Sequence, residues 1–156
     1  MSADATDRPE PADENARWLL VVEDNPDDEL LARRAYNTSK RSEKLLVARN
    51  GEEALVMLGS KESPALVLLD LKLPRLSGVD VLMAMKDDPR LRSVPVVVLT
   101  SSTEKSDVGA CYDLGCSAFV QKPTDYSEFM SVFASTIDFW LNHNVTLADV
   151  VQSTRA

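Results

Sequence analysis

Five short, nearly continuous apolar runs punctuate this chain, and between them apolar residues recur at helical spacing. The runs cover 18–22, 45–47, 66–69, 94–99 and 118–120. Three are almost unbroken Val and Leu, the pattern of a strand covered on both faces of a parallel sheet; a strand with one wet face would alternate. The segments between them predict helices near 26–39, 51–59, 78–87, 104–114 and 125–142. Start signals stand at Asn50-Gly51-Glu52-Glu53, Ser102-Thr103-Glu104 and Thr124-Asp125, and Pro26 falls where a helix needs no N–H. Five β-then-α units predict a doubly wound α/β domain, with a five-stranded parallel sheet, five helices and right-handed crossovers.

The folded domain is expected over 17–142. Residues 1–16, with Pro9, Pro11 and five acids, are expected to form a flexible acidic tail. Residues 143–156 form a C-terminal extension in which 146–151 predicts a short helix, and no output domain is expected beyond the last helix. The net charge of −8 disfavours direct nucleic-acid binding, because short basic pairs such as Arg33-Arg34 make no patch. No run approaches the roughly 18 apolar residues of a membrane helix, and the first residues lack an apolar signal core. A cytoplasmic location is the expectation. Cys111 and Cys116, five apart, would sit about 140° round a helix and are expected as reduced thiols without metal.

In an open sheet of this kind, ligands bind beyond the carboxyl ends of the strands. Strand one closes on Glu23-Asp24, strand three on Asp70, strand four on Thr100 and strand five on Lys122-Pro123. Singly, each reads as a helix cap or a solvated lysine. Three carboxylates at one edge are another matter, since each like pair at about 4 Å costs about 4 kcal/mol at a dielectric of 20. A cation among oxygen-only ligands, Mg²⁺ or Mn²⁺, relieves that cost. With Lys122 as a fixed positive charge and Thr100 as a donor, the set meets the needs of phosphoryl transfer to a carboxylate. No GxxxxGK[ST] or GxGxxG loop is present to cradle a nucleotide, so the phosphoryl group is expected from a small donor or a partner protein. The one histidine, His143, is expected far from the site.

These pieces resemble the response-regulator receiver family (CheY-like, flavodoxin-like) over roughly 17–141. They are Leu19-Leu-Val-Val-Glu23-Asp24-Asn25-Pro26, Leu68-Leu69-Asp70 through Ser77-Gly78, Val98-Leu99-Thr100-Ser101-Ser102, and Phe119-Val120-Gln121-Lys122-Pro123. The resemblance implies Asp70 as phosphoacceptor, and Asp24, Asp70 and the Lys72 carbonyl as ligands of Mg²⁺, with Glu23 acting through water. It implies that Lys122 pairs with one phosphoryl oxygen and Thr100 with another after activation. Phe119 stands at the family's aromatic switch, and the Lys122–Pro123 bond at a position often cis. Gly78 suits a place where a Cβ is unwelcome. Lys72, at a position the family varies, is expected to tune phosphoryl lifetime.

A finer likeness is to single-domain regulators paired with bacterial phytochromes. It rests on Val22-Glu-Asp-Asn-Pro-Asp-Asp28, the run through Leu73-Pro-Arg-Leu-Ser-Gly78, Lys86-Asp-Asp-Pro89 and Asp138-Phe139-Trp140, and it implies a light-regulated sensor histidine kinase as partner. Along the last helix Tyr126, Phe129, Met130, Phe133, Ile137, Trp140 and Leu141 form a core stripe. Val132 and Phe139 fall elsewhere, either as scattered surface residues or as a homodimer patch with the fourth helix and last strand. Three alternatives stay open: an Asp-nucleophile phosphatase, an inert interaction module, and a phosphorelay intermediate. Lys72 argues against the phosphatase, because haloacid-dehalogenase-type sites usually carry a second Asp at that place.

Overall fold

The computed structural model describes residues 17–147 and 149–150. Strands β1 (Trp18–Val22), β2 (Lys44–Ala48), β3 (Leu66–Leu69), β4 (Val96–Thr100) and β5 (Ala118–Gln121) alternate with helices α1 (Pro26–Thr38), α2 (Gly51–Ser60), α3 (Gly78–Asp87), α4 (Lys105–Asp113) and α5 (Tyr126–Asp138). The strands form one parallel sheet in the order β2-β1-β3-β4-β5. This is the doubly wound fold that the apolar runs predict.

The unbroken Val and Leu runs are explained by two cores. Successive side chains of a strand point to opposite faces. Leu20, Val22, Val67, Leu69, Val96 and Val98 pack with Ala54, Leu58, Val81, Leu82, Met85 and Cys111 of α2, α3 and α4. Leu19, Val21, Leu66, Leu68, Val97 and Leu99 pack with Leu31, Ala35, Phe129, Phe133 and Ile137 of α1 and α5. Every position of a central strand is therefore buried.

The helix starts follow the signals with one exception. The Asn25 side chain accepts from the Asp27 and Asp28 N–H groups with Pro26 at the first turn, Asn50 caps α2 through Glu53 N–H, and Asp125 caps α5 through Glu128 N–H. Ser77 and Asp80 form a reciprocal capping box on α3. At α4 the capping residue is Glu104, which makes no side-chain cap. Ser102 instead turns its hydroxyl to Asp107 Oδ2 at 2.6 Å, inside the first turn.

Three expectations need correction. Strand four starts at Val96 and not at 94, since Pro95 has no N–H for the ladder and only its carbonyl takes part, accepting from Val67. The last helix gives way at Phe139 to a π-helical turn, Phe139–His143. Tyr126, read as core, is 69% exposed, because it opens α5 one turn before the buried face begins at Phe129. Beyond the π turn, the Thr146 N–H donates to Asp149 Oδ2 and the Asp149 N–H to Thr146 Oγ1, the reciprocal pattern of a helix start. The tail at 1–16, and Ala148 and 151–156 within the extension, lie outside the described residues.

The far end of the molecule is also fixed. Arg17, just before β1, donates from both terminal nitrogens to Leu141 O, so the end of α5 lies at the amino edge of the sheet. His143, exposed and paired with Asp138, is at that end, as expected. Trp18 is there as well, its indole N–H donating to Glu62 O at 2.7 Å.

Candidate functional site

The parallel ladder continues past the strand ends. Glu23 N–H donates to Ala48 O at 2.9 Å, Asp70 N–H to Val22 O at 3.1 Å and Lys122 N–H to Thr100 O at 2.8 Å. Val22 and Leu69 are in register, so the next residues, Glu23 and Asp70, emerge side by side at the carboxyl edge. That edge lies between β1 and β3, where the strand order reverses and an open sheet leaves a crevice.

Glu23, Asp24 and Asp70 offer carboxylate oxygens within 4.8 Å of one another; the first and last are buried and Asp24 is exposed, so the cluster has one open side. Lys122 reaches over from the loop after β5. Its Nζ lies 2.6 Å from Glu23 Oε2, 2.9 Å from Asp28 Oδ2 and 3.0 Å from Asp70 Oδ2. Backbone donors hold the other oxygens: Asn25 N–H donates to Glu23 Oε1 at 3.0 Å and Lys72 N–H to Asp70 Oδ1 at 3.3 Å.

Three carboxylates thus meet one ammonium, and a fourth, Asp24, stands in the same acidic cluster without a contact to it. Burial pushes the Glu23 carboxyl up to about 7, against the hydrogen bond and charge of Lys122, with the charge of Asp70 adding to the rise. Burial by itself would lower Lys122; the hydrogen bond and charge of Glu23, then Asp70 and Asp28, outweigh it and hold the ammonium above its ordinary range. The site is short of positive charge and its donors are oxygens, which is the chemistry of a hard divalent cation such as Mg²⁺ or Mn²⁺.

The other expected residues line the same edge with different contacts. Thr100 is fully buried and its hydroxyl accepts from Ser102 N–H at 3.3 Å, so it stands one strand over without touching the carboxylates. Phe119 is half-buried against the core under α2, α3 and α4. The Lys72 side chain is exposed. Among the described residues no peptide bond is cis, so Lys122–Pro123 is trans, the isomer X-Pro bonds favour by about 0.5–1 kcal/mol. Gly78 opens α3 directly behind the end of β3: its N–H donates to Leu71 O at 3.0 Å, and a Cβ there would meet Asp70 O at 2.2 Å.

A profile of the response regulator receiver domain matches residues 19–134. The chain belongs to that family. The receiver is 36% identical over 135 residues to the response regulator Rcp1 of Synechocystis sp., covering 83% of this chain and 91% of that one. In solved structures it is similar to the phosphorylated cyanobacterial phytochrome response regulator RcpA, with TM-score 0.81 and 31% identity over 85% of this chain and 99% of that one. It is similar to the Mn²⁺-bound form of Rcp1, with TM-score 0.79 and 32% identity over 83% and 98% of the two chains. The bacteriophytochrome response regulator AtBRR is 40% identical, with TM-score 0.63 over 77% and 93%.

One residue of the receiver's site escaped the sequence reading. Asp28 looks like an ordinary first-turn acid placed for the helix dipole, as its neighbour Asp27 does. Only the cap at Asn25, which sets the phase of α1, turns Asp28 and not Asp27 toward Lys122.

Proposed function

We propose that this receiver takes a phosphoryl group on Asp70 from a phosphohistidine of a phytochrome-type sensor histidine kinase, in a divalent-metal-dependent reaction in the cytoplasm. The observation that carries the reading is the Asp70 carboxylate at the crevice, with one oxygen 3.0 Å from the Lys122 ammonium and two further acids beside it. An Asp70 oxygen forms a bond to phosphorus as the P–N bond to the donor imidazole breaks; the electron pair of that bond stays on the nitrogen, and the imidazole leaves neutral with its proton on the other ring nitrogen. Asp24, Asp70 and the Lys72 carbonyl would hold Mg²⁺, or Mn²⁺ in its place, with Glu23 through water, and the metal would neutralise charge on the phosphoryl oxygens. Lys122 pairs with one of those oxygens.

Phosphorylation takes the charge on the Asp70 side chain from −1 to about −2 and sets three acceptor oxygens at the end of β3. Thr100, released from Ser102, turns to one of them, and Phe119 fills the space it leaves. The surface so altered is made by α4, β5 and α5, where Tyr112, Tyr126 and Phe139 are exposed. A second copy of the chain is the partner we assign to that face, and the output is protein–protein contact. Sedimentation as a monomer at micromolar concentration, with and without beryllofluoride, would exclude the dimer.

Intact-protein mass after incubation with acetyl phosphate and Mg²⁺ tests the chemistry. One added phosphoryl group, absent without metal and in Asp70→Asn, is expected. Repeated turnover of p-nitrophenyl phosphate would identify a phosphatase instead.

A further inference from the structure

An ammonium has three N–H donors, and Lys122 directs them to Glu23, Asp28 and Asp70. The roles proposed above account for Glu23 and Asp70. They leave Asp28 without one, although its oxygen is slightly closer to Nζ than that of Asp70.

The backbone under Asp28 is well held. Its N–H donates to the Asn25 side chain, and the Asn25 N–H donates in turn to Glu23 Oε1. The first turn of α1 is therefore braced against the acidic cluster, and Asp28 sits on a fixed mount 94 residues from the lysine it meets. The lysine side chain is long and flexible, with four carbons between backbone and charge. Held by Glu23 alone, at 2.6 Å the shortest of its contacts, the ammonium would settle on the buried acid and away from Asp70. Asp28, on the α1 side, supplies the opposing pull.

We propose that Asp28 is a positioning residue for phosphoryl transfer: its carboxylate fixes the Lys122 ammonium beside the Asp70 oxygens. When the phosphoryl group arrives, the donor now on Asp70 turns to a phosphoryl oxygen while the bond to Asp28 stays. The inference rests on Asp70 being the phosphoacceptor.

Two substitutions separate holding from charge. Asp28→Ala removes both the acceptor and the charge. Asp28→Asn removes the charge and keeps an oxygen that accepts from Nζ. Both lose the same helix-dipole contribution, so any effect on α1 stability cancels between them. With acetyl phosphate and Mg²⁺, the expected result is adduct formation about ten-fold slower in Asp28→Ala, a factor that one charge-assisted hydrogen bond supplies. Asp28→Asn restores most of the rate. In the metal-free protein, the ¹⁵N-bonded protons of the Lys122 ammonium are expected to exchange slowly in wild type and Asp28→Asn and fast in Asp28→Ala.

A charge effect alone would speed both variants, since each removes a negative charge from the path of an anionic donor. Rates in Asp28→Ala at or above wild type, or equal slowing in both variants, would overturn the inference while wild-type adduct formation leaves the function standing. A wild-type chain that takes no phosphoryl group would overturn both.

Discussion

Gly78→Ala is the substitution for which packing and propensity disagree most sharply. Gly78 opens α3 with a φ outside the left-handed region, so alanine suits its backbone. On chain entropy and helix propensity alone, the change would stabilise by about 0.4–1 kcal/mol. Its new Cβ, however, would lie 2.2 Å from Asp70 O, 2.7 Å from Leu71 Cα and 3.0 Å from Asp70 C. All three are backbone atoms, so no side chain can swing away. The start of α3 must retreat by about 1 Å, which strains or breaks the bond from Gly78 N–H to Leu71 O. Overpacking of this kind costs about 1–3 kcal/mol and the lost bond about 1 more. Net destabilisation of about 2–3 kcal/mol follows, or roughly 5–10 °C in melting temperature for a domain of this size. Gly59→Ala is the control: it is in a helix as well, with nothing within 4 Å of the added carbon, and is expected to raise stability by up to about 1 kcal/mol. Urea melts of the two variants against wild type make the comparison. A Gly78→Ala protein as stable as wild type would refute the close approach of α3 to the backbone after β3.

Lys122→Ala leaves Glu23, Asp28 and Asp70 without their shared cation and is expected to cost about 3–5 kcal/mol in metal-free buffer. Mg²⁺ should then raise the melting temperature of the variant more than that of wild type, as calorimetry with and without metal would measure. Glu29, hydrogen-bonded to Arg49 and Arg33, is held below the usual carboxylate range, chiefly by Arg49. Its pairing therefore stabilises fully above its ordinary pKa of about 4.3 and fades as pH falls through the lower folded value. The gap between wild type and Glu29→Gln in urea melts should be present at pH 7 and close toward pH 3. Burial pushes the Cys111 thiol up to about 11, with Cys116 and Asp107 adding, and raises Cys116 against the pull of Lys86. Iodoacetamide at pH 7.5 is expected to label neither cysteine in the native protein and both in urea, read by intact mass.

The fold was legible because its constraint is local and repeated: an unbroken run such as 66–69 has few places to go other than the middle of a parallel sheet. Glu23, Asp24, Asp70 and Lys122 were legible for the same reason, since each closes a strand and a parallel sheet brings all such ends to one edge. Asp28 was not, because its approach to Lys122 depends on the rotation of α1 about its own axis, which the Asn25 cap sets and composition does not. Tyr126 misled for a related reason, as helical spacing marks a face but not where along the helix that face goes under cover. The start of α4 was misread because Ser102 spends its hydroxyl on Asp107, five residues on.

The bond from Arg17 to Leu141 O has a mechanical consequence. It fastens the π turn that ends α5 to the start of β1, while the amino end of the helix follows Lys122 after Pro123, Thr124 and the cap at Asp125. A helix hinged in this way amplifies displacement along its length. Over 13 residues, or about 20 Å, a ten-degree tilt about the Arg17 hinge moves the Tyr126 end by about 3.5 Å and the π turn hardly at all. Spin labels or fluorophores meant to follow signalling therefore belong near the amino end of α5, and one placed at His143 would sit at the fulcrum.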